Sequence, residues 1–274
     1  MGNAWSCDID TCRSASGFKT ITATAIDTAE NITSVSIDVN IDNPSTSSIA
    51  SAKMGTLPFV SLEDAVVTAG TDVFGNAFYM QSFDAPIGIC VEPTASEILA
   101  GDLVRVVGDI QTVDGELKIG QADVNVISHN NPIPKPYAIS NINLCGGAMG
   151  LQQATYDYRR RPIPDTDPPQ YERSLGESIG LNNIGLLVRT WGVVTYIGDG
   201  FFYIHDGSEL DDGNNLGSYF DSIKGIRVAQ QCSGMVGDFV IVTGISSCTT
   251  HTNEGYITRL LRPTRPEDTL ILGR

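Results

Sequence analysis

The sequence predicts an all-β chain: a short leading β segment followed by two barrel-like units of one kind. Three observations carry this. Short β-branched and aromatic runs are punctuated by Gly-Asp and Asp-Gly pairs, the pattern of strands joined by tight turns. The series Leu186-Leu-Val-Arg-Thr-Trp-Gly-Val-Val-Thr195, Phe202-Tyr-Ile-His205, Gly225-Ile-Arg-Val228 and Gly237-Asp-Phe-Val-Ile-Val-Thr-Gly244 has an earlier counterpart. That counterpart is Val66-Val-Thr68, Phe78-Tyr-Met-Gln81, Gly88-Ile-Cys-Val91 and Gly101-Asp-Leu-Val-Arg-Val-Val-Gly108. Finally, residues 1–42 contain two runs in which apolar and polar positions alternate.

The totals fit this class. With 274 residues the chain has room for two domains, each with its own core. A hydrophobic content of 41%, with 28 Gly and 13 Pro, describes a globular, turn-rich β protein rather than a disordered or fibrous one. Thirty-two acidic against seventeen basic residues give a net charge of −15. Non-specific nucleic-acid affinity comes from basic residues displacing counterions, so this surface argues against nucleic acid as a partner. No run approaches a membrane span, and residues 1–16 lack the apolar core of a signal peptide. Met1-Gly-Asn-Ala-Trp-Ser6 fits a loose myristoylation pattern, set aside because a Cys-paired β protein does not suit the cytosol. The expectation is a secreted or cell-surface protein whose export signal lies upstream or has been removed.

In the leading segment, residues 1–42, Phe18 to Asp27 alternates, with Ile21, Ala23 and Ala25 on one face. Ser34 to Ile41 alternates more cleanly, placing Val35, Ile37, Val39 and Ile41 together. Asp27-Thr-Ala-Glu-Asn31 makes the turn between them. This segment resembles the closing strands of bacterial immunoglobulin-like surface domains. There a Gly-x-x-x-Ile-Thr-Ala-x-Ala-x-Asp run leads into an x-Asn-x-Thr-Ser turn and a final strand. The match runs from Gly17 to Ile41, with Glu30 standing where that pattern usually has Gly. Such a sandwich needs about seven strands, and about three fit here. A partial immunoglobulin-like sandwich is therefore expected, its missing strands cut away or supplied by another molecule.

Asn43-Pro-Ser-Thr-Ser-Ser48 is a linker by composition. The first barrel is expected over 49–128 and the second over 185–274, with an irregular connection over 129–184. Alternating Tyr137, Ile139, Ile142 and Leu144 predict that this connection packs on both barrels. Each barrel resembles the oligonucleotide/oligosaccharide-binding (OB) fold, five strands in a Greek-key barrel. The second unit, with Asn143-Leu-Cys-Gly-Gly-Ala-Met-Gly150 before it, is similar to repeats in large secreted bacterial proteins. That resemblance implies architecture and location, and no assigned activity.

Six Cys residues, Cys7, Cys12, Cys90, Cys145, Cys232 and Cys248, form no Cys-x-x-Cys pair. Disulfides Cys7–Cys12, Cys90–Cys145 and Cys232–Cys248 are the expected arrangement. The histidines, His129, His205 and His251, have no metal-ligand spacing, and no nucleophile elbow occurs. His205-Asp206 is more simply a strand end beside a turn than an acid/base pair, so no enzyme is expected. Asp206, Asp211 and Asp212 lie in a loop dense in carboxylates, where Asp and Gly first read as turn formers; no cofactor is expected, with calcium the alternative such a cluster would take. Where this fold binds ligands, aromatic rings stack on them. Tyr79, Tyr203 and Trp191 are the candidates for such a platform, with core packing the first expectation for Phe78, Phe202 and Trp191. Arg159-Arg-Arg161 is the one basic cluster and reads as a solvated loop or an interface contact. Asn31-Ile-Thr33 is a glycosylation sequon.

The first expectation for function is a non-enzymatic extracellular structural protein, a fibre or surface-layer subunit that self-assembles by strand complementation. An unfinished sandwich exposes strand edges that proteins otherwise cover, and a neighbour's strand is one way to cover them. Ile21, Ala23, Val35, Ile37, Val39 and Ile41 would form the contact, with Leu270 and Leu272 of the final apolar run as an alternative donor. The second expectation is a polysaccharide-binding module of a larger secreted protein.

Overall fold

The computed structural model describes residues 7–9, 11, 14–43, 47–55, 59–94, 97–168, 170–217, 222–251 and 254–273. It is all-β, with two five-stranded barrels joined by an ordered connection. Strands β1 (Gly17–Ile26) and β2 (Ile32–Ile41) form an antiparallel ribbon of their own. A short helix α1 (Ile49–Met54) follows, capped by the Ser48 side chain, which accepts from Ser51 N.

The first barrel contains β3 (Phe59–Ala69), β4 (Phe78–Ser82), β5 (Gly88–Pro93), β6 (Leu103–Val113) and β7 (Glu116–Ser128). A second short helix, α2 (Thr71–Phe74), joins β3 to β4. Going round the barrel the order is β3-β4-β5-β7-β6, closed by β6 on β3, and β5–β7 is the one parallel pair. The connection adds β8 (Tyr137–Ala138) and an antiparallel ribbon of β9 (Tyr156–Pro162) and β10 (Tyr171–Glu177).

The second barrel contains β11 (Leu187–Ile197), β12 (Phe202–His205), β13 (Ile226–Val228), β14 (Phe239–Thr250) and β15 (Ile257–Arg262). Its order, β11-β12-β13-β15-β14 with β14 returning to β11, repeats that of the first, again with the third and fifth strands parallel. Strand β8 extends it beside β11, and β16 (Thr269–Gly273) extends it beside β14.

The repeated Gly-Asp pair explains why both units close alike. Gly101 and Gly237 have φ of +91° and +98°, which only glycine adopts at little cost. The Asp after each is buried and its side chain accepts a turn amide, Leu99 N at 2.9 Å for Asp102 and Met235 N at 2.8 Å for Asp238. Backbone bonds then fix the turn to the first strand of the barrel. Val67 N donates to Asp102 O and Val194 N to Asp238 O, both at 2.8 Å. Beside each contact that strand bulges, at Val67/Ala69 and at Val194/Tyr196.

The cores match position by position. Phe78, Met80, Ile89, Val91, Val104 and Val106 fill the first barrel. Phe202, Ile204, Ile226, Val228, Val240 and Val242 fill the second. The connection does pack on both: Leu144 and Cys145 belong to the second core, while Gln152 accepts from Leu117 N at 2.8 Å and donates to Gly115 O at 2.8 Å in the first barrel.

Candidate self-association surface

The β1–β2 ribbon has two unlike faces because its register pairs like with like. Ile21 faces Ile37, Ala23 faces Val35 and Lys19 faces Val39, so one face is apolar. On the other, Thr20 donates to Asp38 at 2.7 Å, and the hydroxyls of Thr22–Ser36 and Thr24–Ser34 pair at 2.8 and 2.9 Å. Cross-strand hydroxyl pairs of this kind stabilise a ribbon in water. The apolar face has no such cover: Val35 is 66% and Ile37 59% exposed. Fully burying residues of this size is worth about 1.5–3 kcal/mol each. Two-stranded ribbons are marginal by themselves, and this one is anchored at its base. Lys19 meets Asp123 at 2.7 Å, Ala15 N donates to Asp123 at 2.7 Å and Asn125 donates to Ser16 O at 3.0 Å. Among the described residues, each strand of the ribbon pairs only with the other.

The turn is closed by Asp27, whose carboxylate accepts from Ala29 N, Asn31 N and Asn31 Nδ2 at 2.8–2.9 Å. The Asn31 bonds hold that carboxyl below the usual range. Glu30 adopts φ +66°, the left-handed conformation for which the resembling pattern carries Gly. Asn31 is exposed, so the sequon is accessible.

Leu270 and Leu272 point outward from β16, 54% and 57% exposed. Their strand is already paired with β14 in its own barrel and offers one open edge.

The expected disulfides are corrected. Cys90, Cys145, Cys232 and Cys248 are buried free thiols, and Cys7 is a free, exposed one; Cys12 lies outside the described residues. Cys145 is turned into the second barrel, its Sγ donating to Ser247 O at 2.9 Å, whereas Cys90 lies on the first barrel against Tyr79. Burial pushes the Cys145 thiol up to about 11 and raises Cys90 and Cys248 further, the reverse of a reactive thiolate.

The expected aromatic platform is corrected as well. Phe78 and Phe202 are core, as alternation requires, yet Tyr79 and Tyr203 on the opposite faces are also buried. The second barrel covers Tyr79. Its hydroxyl donates to Glu116 at 3.1 Å and accepts from Arg262 at 2.9 Å, and Ser247 donates to the same Glu116 oxygen at 2.9 Å. Tyr203 donates to Asp212 at 2.6 Å beneath Tyr196 and Phe201. Trp191 alone of the three is partly exposed, at 37%.

The acidic loop is occupied by protein donors. Asp211, buried, receives Arg173 at 2.6 Å, Lys224 at 2.9 Å, Ser222 at 2.5 Å and Gly213 N at 3.0 Å. Burial alone would raise its carboxyl, but these bonds hold it low. Asp212 binds Tyr203 and Asn214, and Asp206 takes Asn141 N and Ser208. Among the described residues no group of three or more His, Cys, Asp or Glu side chains is placed to hold a metal ion. His205 Nε2 lies 3.6 Å from Glu209, while Asp206 is turned to Asn141.

One feature was not legible beforehand, a buried polar seam between the barrels. Lys53 of α1 is 1% exposed, its Nζ donating to Ile184 O and, at 3.4 Å, to Asn182 Oδ1. Burial lowers it to about 8, against the pull of Glu116. Burial raises the Glu116 carboxyl, and its Oε1 has no hydrogen-bond partner among the described residues. A cleft of about 150 Å³, lined by Ala69, Asp72, Leu187, Thr243 and Arg265 among others, opens beside the junction.

Comparison with protein families, with curated proteins and with solved structures finds no match to this chain.

Proposed function

We propose that this protein is a non-enzymatic structural subunit that self-assembles through the β1–β2 ribbon, a neighbouring copy completing it by strand complementation. The observation that carries the reading is the apolar face of Ile21, Ala23, Val35, Ile37 and Val39, on which Val35 and Ile37 stand exposed, on a ribbon whose strands pair only with each other among the described residues. Backbone bonds to an open edge supply affinity and alternate side chains supply specificity. Repeated head to tail, the contact is heterologous and builds a filament. The assembly is a fibre or surface layer outside the cell. The resemblance to secreted surface proteins and the accessible Asn31 sequon support that setting; the free thiols lend it no support. No helix among the described residues is long and apolar enough to cross a membrane.

Light scattering and electron microscopy of the purified protein over rising concentration test the proposal. Growth into filaments is expected, abolished by Val35→Asp with Ile37→Asp. A wild-type protein that stays monomeric at high concentration overturns it.

A second reading, a polysaccharide-binding module, is favoured by a different observation. Tyr196 and Phe201 stack at 6.0 Å and 27°, half-exposed over Tyr203, with the Arg227 guanidinium 4.1 Å from the Phe201 ring. Rings so placed suit a sugar face. Binding on a glycan array that is lost in Phe201→Ala supports it, and silence on the array disposes of it.

A further inference from the structure

The outer wall of the second barrel carries a second apolar face, and it is ordered in rows. Strands β11, β14 and β16 lie side by side there, and their registers align Trp191 with Ile241 and Ile241 with Leu270. In the next row Val193 lies opposite Phe239, with Leu272 alongside on β16. Alternation places all of these outward, because Thr190, Val194, Val240 and Val242 point into the barrel. Trp191, Val193, Phe239, Leu270 and Leu272 are between 36% and 57% exposed. With the adjoining turn at Met235 and Val236 they expose on the order of 600 Å² of largely apolar surface, at the upper end of what a monomer ordinarily shows. That approaches the ~800 Å² per partner of a standard interface.

Resting on the reading just given, we infer that this face is the acceptor for the β1–β2 ribbon of a second copy. Three observations select that occupant. The ribbon is another sheet face with exposed apolar residues, Val35 and Ile37, and the two faces belong to different parts of the chain: the ribbon is anchored to β7 of the first barrel, and the acceptor belongs to the second. Their charges suit one another. The ribbon's turn carries Asp27 and Glu30, while the ribbon's one cation, Lys19, is already paired with Asp123. The acceptor rim carries exposed Arg189, beside Thr243, and exposed Arg265. Lastly, among the described residues the outer edge of β16 is unpaired, so no strand of the same barrel stands between an incoming ribbon and Leu270 and Leu272. Contacts of one surface with a different one close into a ring where the rotation between copies closes, and otherwise leave a free ribbon at one end of a growing filament and a free wall at the other.

The test mixes two variants of the full chain. Val35→Asp with Ile37→Asp disables the ribbon and leaves the wall intact; Trp191→Asp with Leu270→Asp disables the wall and leaves the ribbon intact. All four sites are exposed, and unchanged circular dichroism checks folding. Each variant alone is expected to raise the concentration at which scattering grows by at least about tenfold. Mixed, they are expected to form one-to-one pairs by size-exclusion chromatography with light scattering, and no longer chains. If the wall variant assembles like the wild type while the ribbon variant does not, the acceptor assignment is overturned and self-assembly through the ribbon stands. If both variants fail to grow and the mixture does not pair, the two faces are not partners and the assignment is again overturned. If the ribbon variant also assembles like the wild type, the underlying reading falls with it.

Discussion

Gly88 and Gly185 meet backbone to backbone where the barrels touch: a Cβ on Gly88 would lie 2.1 Å from the Gly185 carbonyl oxygen. Gly88 opens β5 of the first barrel and Gly185 leads into β11 of the second, whose Gly185 N donates to Ser246 O at 2.7 Å. No larger residue allows that approach. Gly88→Ala is therefore expected to destabilise by about 1–3 kcal/mol, the cost of forcing an extra methyl into packed structure. Thermal unfolding measures it, and a change under ~0.5 kcal/mol would show that the barrels can part at no cost.

The thiols give a second prediction. Native protein treated with iodoacetamide should be modified at Cys7 and spared at Cys90, Cys145 and Cys248, which react on unfolding without any reductant. Mass spectrometry of the peptides reads this directly. Thiols that stay blocked in the unfolded, unreduced protein would mean disulfides after all.

Stability should fall as pH rises, through Glu116. Its carboxyl is raised above the ordinary 4.5 by burial, so the fold favours the protonated form. That stabilisation is complete below the unfolded value and is lost as pH climbs through the folded one, at ~1.4 kcal/mol per unit of separation. Glu116→Gln stays neutral throughout. Its melting temperature should match the wild type's near pH 4 and exceed it increasingly toward pH 7; parallel curves would place the charge elsewhere.

For the acidic loop the expectation is indifference to calcium. Neither calcium nor a chelator should move the melting temperature, because Arg173 and Lys224 already neutralise Asp211. Asp211→Asn should cost about 1–3 kcal/mol, discounted because both cations are partly in solvent. A rise in melting temperature with added calcium would reverse the assignment.

Much of the fold was written in local patterns. Gly101-Asp102 and Gly237-Asp238 announce both barrels because one glycine conformation and one capping carboxylate make each turn. The period-two runs placed Ile21, Val35 and Ile37 on one face for the same local reason. What stayed hidden depends on distant partners. The burial of Tyr79 needs Arg262 and Ser247 from the other barrel, and no alternation reports that. Lys53 reads as a helix-end cation and lies instead against Ile184. Buried free thiols and paired ones look alike in a sequence. The β9–β10 ribbon was missed because Arg-rich strands around a Pro-rich turn show no apolar period.

The seam between the barrels has a consequence for anyone dissecting the gene. Tyr79 and Glu116 come from one half, Ser247 and Arg262 from the other, and Gln152 of the connection reaches back to Leu117. Cutting anywhere between residues 129 and 184 leaves the amino-terminal fragment with an acid stripped of its shield and the carboxy-terminal fragment with a guanidinium missing its ring. The two barrels are expected to unfold as one unit.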